Sequence, residues 1–224
     1  MKLNKLAIAV GAAVMGMASV AQAELSANIG ATSNYLWRGL TQTKDSPAMS
    51  GGIDYANESG FYAGAWTSNV DFDDGSGNQA ELDLYAGFGG ETGSVGYDVG
   101  VIYYAYPLAD APADELDFTE IYGSLSFGPA TVGVAYTIDT EAGGDDNHLY
   151  YYASAGTDLD DGWSVGGTIG QYDFDGGGDD YTHAQIDVTK STSDFGDFTF
   201  TLSKVFDDAY DDDIIPVVSW SKGF

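Results

Sequence analysis

The chain has 224 residues, of which 35 are acidic and seven are Lys or Arg, so its formal net charge is −28; it has no cysteine. That balance excludes nucleic acid as a partner, because phosphate backbones demand basic patches. The lack of thiols excludes disulfides and thiolate metal sites.

The first 23 residues predict an export signal peptide, Met1–Ala23. Lys2 and Lys5 give a positive start, Leu6 to Val20 an apolar run, and Ala21-Gln22-Ala23 a small-residue cleavage site. The run is short for a spanning helix, and no later stretch has the apolar length of one. Cleavage would leave residues 24–224 as a single domain with five basic against 35 acidic residues, a charge of −30.

The first mature stretch, Leu25 to Arg38, alternates. Leu25, Ala27, Ile29, Ala31, Ser33, Tyr35 and Trp37 fall on one side. Ser26, Asn28, Gly30, Thr32, Asn34 and Arg38 fall on the other, with Leu36 the one apolar intruder. Period two is the signature of a strand, whose successive side chains point to opposite faces. An apolar face ending in a Tyr-Trp pair, opposite a polar face ending in Arg38, predicts lipid on one side and an aqueous lumen on the other.

The segment SNYLWRGLTQT, followed by PAMSGGIDYA and GFYAGAWTSNVDF, resembles the opening of the TorF-type porin family of Gram-negative bacteria. The likeness is close from about Ser33 to Phe72, and Asn34 stands where that family more often has Asp. The resemblance implies an outer-membrane β-barrel and says little about chemistry.

Twelve alternating segments follow in chain order: Leu25–Arg38, Ala48–Ala56, Phe61–Val70, Gln79–Gly90, Ser94–Tyr106, Phe118–Phe127, Thr131–Asp139, Leu149–Asp158, Trp163–Tyr172, Tyr181–Ser191, Asp197–Phe206 and Ile214–Phe224. Their connections sort by length. Asn57–Gly60, Glu91–Gly93, Gly128–Ala130, Leu159–Gly162 and Asp194–Gly196 are short. Leu40–Pro47, Asp71–Asn78, Pro107–Asp117, Thr140–His148, Asp173–Asp180 and Asp207–Asp213 are longer and mostly acidic. Short turns at one end and long loops at the other are the plan of an antiparallel transmembrane β-barrel, periplasmic turns opposite extracellular loops. Such a sheet must close, because lipid leaves no partner for an open edge.

Within Gln79–Gly90, Ala80, Leu82, Leu84, Ala86 and Phe88 are predicted to face lipid, and Glu81, Asp83 and Tyr85 the lumen. Ile121, Leu125 and Phe127 oppose Glu120 and Tyr122. Val132, Val134, Tyr136 and Ile138 oppose Thr131, Gly133, Thr137 and Asp139. Ala184, Ile186 and Val188 oppose His183, Gln185 and Asp187. The final run, with Val218, Trp220 and Phe224 in phase, resembles the C-terminal signal of outer-membrane barrels, with Trp220 and Phe224 read by the barrel assembly machinery.

The predicted pore-lining residues are Arg38, Asp54, Glu81, Asp83, Asp98, Glu120, Asp139 and Asp187. Rings of carboxylates favour cations in a pore. An inward arginine facing them either forms a constriction or braces a filled barrel, since side chains fill small barrels and larger ones hold channels.

The acidic loops match no metal motif. Asp71–Asn78 begins like an EF-hand loop but has Gly75 at the fifth position, and Asp175–Asp180 recurs nowhere else. No metal and no cofactor are expected. Two histidines, His148 and His183, and no GxSxG give catalysis little to stand on, so the chain is not expected to be an enzyme. The expected function is passive diffusion of ions or small solutes through an outer-membrane porin that prefers cations. The alternative is a closed structural or adhesive barrel whose acidic loops bind a partner or divalent cations. Outer-membrane lipid and lipopolysaccharide are the expected surroundings.

Overall fold

The computed structural model describes residues 24–72, 79–107, 116–140, 147–176 and 178–224. The expected leader lies outside these residues, as do most of the loops Asp71–Asn78, Pro107–Asp117 and Thr140–His148, and residue 177 of the loop Asp173–Asp180.

The strands in order are β1 (Glu24–Thr32), β2 (Leu36–Trp37), β3 (Leu40–Thr41), β4 (Ala48–Ala56), β5 (Phe61–Val70), β6 (Gln79–Thr92), β7 (Val95–Ala105), β8 (Phe118–Phe127), β9 (Ala130–Thr140), β10 (Leu149–Asp158), β11 (Trp163–Asp173), β12 (Tyr181–Thr192), β13 (Gly196–Val205) and β14 (Ile215–Gly223). All except β2 and β3 form one closed antiparallel barrel of twelve strands, each paired with its neighbours in the chain. β14 closes it on β1 with Thr32 opposite Ser219 and Asn28 opposite Gly223. Beyond that ladder, the Phe224 N–H donates to the Ala27 carbonyl at 2.8 Å. Full closure leaves no sheet edge to satisfy.

The outward positions are apolar round the whole circumference. Ile29, Ile53, Leu84, Val99, Ile121, Val134, Ile169, Ile186, Phe200 and Val218 are all exposed. A continuous belt of this kind is far larger than a soluble monomer exposes, and lipid is the solvent it fits. Near the short turns the belt ends in aromatics. The Trp220 indole donates to the Phe195 carbonyl at 2.6 Å, and Lys190 and Lys222 lie 5.3 and 5.6 Å from the Trp163 and Phe224 ring centroids. Aromatic rings with a lysine beside them suit the depth where hydrocarbon gives way to water.

Inside, tyrosines lie flat over glycines of the adjoining strand. Tyr85 covers Gly64, Tyr62 covers Gly87, Tyr122 covers Gly100 and Tyr152 covers Gly133. A Cβ at Gly133 would come within 2.5 Å of the Tyr152 ring, so the ring would have to leave. Gly133→Ala is therefore expected to cost about 1–3 kcal/mol by overpacking, read as a lower urea midpoint for the barrel refolded in lipid vesicles. A midpoint equal to that of the unmodified protein would mean that the tyrosine is not held against the glycine.

Two expectations are corrected. The first strand ends at Thr32, not Arg38. Ser33 accepts the Val218 N–H on its hydroxyl at 3.0 Å, and the chain then turns inward. Tyr35 and Trp37 consequently face the lumen, and of the expected loop Leu40–Pro47 the first part turns inward while Lys44, Asp45, Ser46 and Pro47 stay exposed. The second concerns Asp139. The β8–β9 register shifts beside Thr119, so that Glu120 pairs with Thr137 and Thr119 with Asp139. Directly paired residues share a face, and the extra residue of the bulge turns Asp139 outward, where it is exposed. Asp139 does not line the lumen.

Candidate functional site: a hairpin inside the barrel

The segment between β1 and β4 folds back into the barrel as a small hairpin, in which Leu36 pairs with Thr41 and Trp37 with Leu40. Two residues, Arg38 and Gly39, make its tip, with φ of 50° and 89°. Positive φ at both central positions is what a tight two-residue hairpin turn needs. An arginine in that conformation is uncommon and is held by its surroundings. Gly39 is required twice over, by its φ and because a Cβ there would sit 2.6 Å from the His183 Cβ.

Asn34 anchors the base of the hairpin. Its amide donates to Asp45 at 2.6 Å, and its side-chain oxygen accepts the Thr41 hydroxyl at 2.7 Å. The Gln42 N–H donates to the Tyr35 carbonyl at 2.7 Å, and the Asp71 N–H to the Gln42 carbonyl at 2.8 Å, which ties the hairpin to the end of β5.

From this base the tip reaches most of the way across the lumen. Arg38 forks onto Glu120 of β8 with Nη1–Oε1 at 2.9 Å and Nη2–Oε2 at 2.5 Å, and both side chains are buried. The guanidinium carbon lies 4.1 Å from the Trp37 ring centroid and 4.3 Å from that of Tyr150. Trp37 meets Tyr104, Phe118 and Tyr172 edge-on at 6.0, 6.1 and 5.7 Å. Two buried apolar clusters, on opposite sides of the barrel, both touch Trp37. A bidentate pair clasped by aromatic faces fixes geometry as well as charge. At this level the barrel is filled.

The other predicted lining residues fall into two groups. Glu81 and Asp83 are buried on β6 near the hairpin, and the Tyr35 hydroxyl donates to Glu81 at 3.0 Å. Asp54, Asp98 and Asp187 face the lumen nearer the short turns, each on a separate part of the wall. Asp54 accepts the Asn28 amide at 3.3 Å and also the Tyr85 hydroxyl. Asp98 accepts the Tyr62 hydroxyl at 2.8 Å, and Asp187 accepts Thr201 at 2.5 Å and Gln185 at 2.9 Å. Asp54 and Asp98 are half-buried, leaving an acidic, partly open vestibule below the hairpin. His183 shares a hydrogen bond with the Tyr150 hydroxyl at 2.9 Å on the wall facing Gly39.

The hairpin itself was missed in the sequence, along with the aromatic cage of Tyr150 and Tyr172. The signal was present. Leu36 breaks the alternation, and Arg38-Gly39 stands between Leu36-Trp37 and Leu40-Thr41, which is the spacing of a two-residue hairpin.

The fold is similar to that of a structure described as "KdgM porin", with a TM-score of 0.60 at 6% identity, over 89% of this chain and 98% of that one. It is also similar to a protein described under "Unveiling the Mechanism Behind the in-meso Crystallization of Membrane Proteins", with a TM-score of 0.57 at 10% identity, over 89% and 83% of the two chains. At such identities the likeness is one of fold. No curated protein sequence matches the chain. Residues 17–215 match the model of the family described as "Bacterial protein of unknown function (Gcw_chp)", and the chain belongs to that family.

Proposed function

We propose that the protein is an outer-membrane, porin-like channel for passive diffusion of ions or small solutes, that it prefers cations, and that the inward hairpin limits its conductance. The observation that carries this reading is the lumen itself. It has an acidic vestibule lined by the half-buried Asp54 and Asp98, with Asp187 buried in the wall, below a hairpin whose base lies towards the long loops. Carboxylates along a narrow, water-filled path raise the local concentration of cations and repel anions. The likeness of Ser33–Phe72 to TorF-type porins agrees with it. Export by the Met1–Ala23 signal peptide, and assembly read from Trp220 and Phe224, are parts of the same proposal. No reaction is assigned to the site.

The expected signature is a reversal potential of cation sign under a salt gradient. Asp54→Asn with Asp98→Asn should bring it closer to zero while the protein still folds. An unchanged reversal potential in that variant would remove the vestibule carboxylates from the mechanism.

A second reading rests on the filled level at Trp37. The barrel would stay closed and act through its acidic loops, where Asp211, Asp212 and Asp213 place exposed carboxylates within 4.8 Å of one another. A folded, heat-modifiable barrel that never conducts would favour it.

A further inference from the structure

Three carboxylates, Glu81, Asp83 and Glu120, are buried to 2% exposure or less beside the hairpin, and Arg38 is the only buried Lys or Arg among the described residues. Both Arg38 nitrogens that reach the wall are used on Glu120. Glu81 and Asp83 occupy successive lumen positions on β6, with their carboxyls in hydrogen-bonding reach of one another. Glu81 has the neutral Tyr35 hydroxyl as a partner. Asp83 Oδ1 is fully buried and has no hydrogen-bond partner. Trp66 and Tyr104 pair with Asp83 from either side, Ser68 pairs with Glu81, and Tyr35 packs against Trp66 at 5.5 Å, so the pair is walled off. Uncompensated buried charge costs several kcal/mol per ion, about the scale of a domain's whole stability. One proton shared between the two carboxyls would still leave one negative charge.

We propose that Glu81 and Asp83 hold a divalent, oxygen-preferring cation of the calcium class beneath Tyr35, and that this ion fastens the hairpin to β6. Two carboxylates neutralise a double positive charge, and the donors at hand are hard oxygens. Calcium tolerates irregular oxygen coordination, which two bidentate carboxylates can share with the Tyr35 hydroxyl and a remaining water, whereas magnesium demands a near-octahedral shell made largely of its own waters. The link to the hairpin is the Tyr35 hydroxyl on Glu81, since an ion that orients the carboxylate also seats the tyrosine. The site requires no conductance and stands apart from the channel reading.

The test uses the full mature chain, refolded in detergent, stripped with chelator and titrated with Tb³⁺. Emission is sensitised through Tyr35 and Trp66, and Ca²⁺ is the competitor. The expected result is one saturable site displaced by Ca²⁺, with few water ligands by lifetime in light and heavy water. Asp83→Asn and Glu81→Gln should each weaken it by about tenfold or more, whereas the triple change Asp211→Asn, Asp212→Asn, Asp213→Asn should leave it intact. Ca²⁺ should also raise the unfolding midpoint of the unmodified protein. A fully hydrated Tb³⁺ on the unmodified protein would overturn the proposal without any variant. Equal affinity in the unmodified protein and Asp83→Asn would do the same, because the ion would then sit on the acidic surface. A midpoint indifferent to Ca²⁺ but falling as pH rises would point to the shared proton instead.

Discussion

Arg38→Ala is expected to destabilise the barrel by about 3–5 kcal/mol, because it leaves Glu120 charged, buried and unpaired. That is a large part of the ~5–15 kcal/mol that holds a typical domain folded. The guanidinium does more than balance charge, since it forks onto both Glu120 oxygens and lies against Trp37 and Tyr150. Arg38→Lys keeps the charge but loses the fork and the flat face, so it should fall between the two. Arg38→Met combined with Glu120→Met removes both charges and should recover most of the loss. Urea unfolding in lipid vesicles, followed by tryptophan fluorescence, gives the three values. Arg38→Ala within ~0.5 kcal/mol of the unmodified protein, the range of ordinary surface substitutions, would show that water reaches the pair.

Gly39→Val should expel the hairpin from the lumen. The tip needs φ of 89° and an approach to His183 that leaves no room for a Cβ, and valine meets neither condition. Backbone strain and overpacking of about 1–3 kcal/mol each oppose the seated state. The twelve-strand ladder does not depend on the hairpin, so the variant should still fold and remain heat-modifiable. Trp37 would move from an aromatic cluster into water, shifting emission to the red, and residues 36–41 should become cleavable by protease. Conductance should rise in the same sample. Unchanged emission and resistance to protease would mean that the tip reseats without Gly39.

The barrel was legible in the sequence for a physical reason. Lipid outside and water or polar side chains inside force strict alternation, so the faces of β6, β8 and β12 could be read from Leu84 against Asp83, Ile121 against Glu120, and Ile186 against Asp187. Turn and loop lengths gave the order of the strands. Alternation fails where the environment on the two sides is the same. Tyr35 and Trp37 are apolar because they pack inside the lumen, and in a one-dimensional pattern that looks like a lipid face. Asp139 fails differently, because one bulge residue reverses the phase of everything beyond it. The pairing of Arg38 with Glu120 joins positions 82 apart in the chain. No local pattern specifies that partner, and the folded hairpin was needed to find it.

As proposed, the hairpin limits an otherwise conducting, cation-preferring lumen. Single-channel recording in a planar bilayer under a salt gradient tests it most directly, on the refolded mature chain and on a variant with residues 36–41 replaced by a short flexible link. The expected result is brief, small, cation-selective openings of the unmodified protein and larger, sustained openings of the same selectivity in the variant. A silent unmodified protein, folded and inserted, would contradict the channel reading whatever the variant does, and equal currents from both would contradict the role of the hairpin.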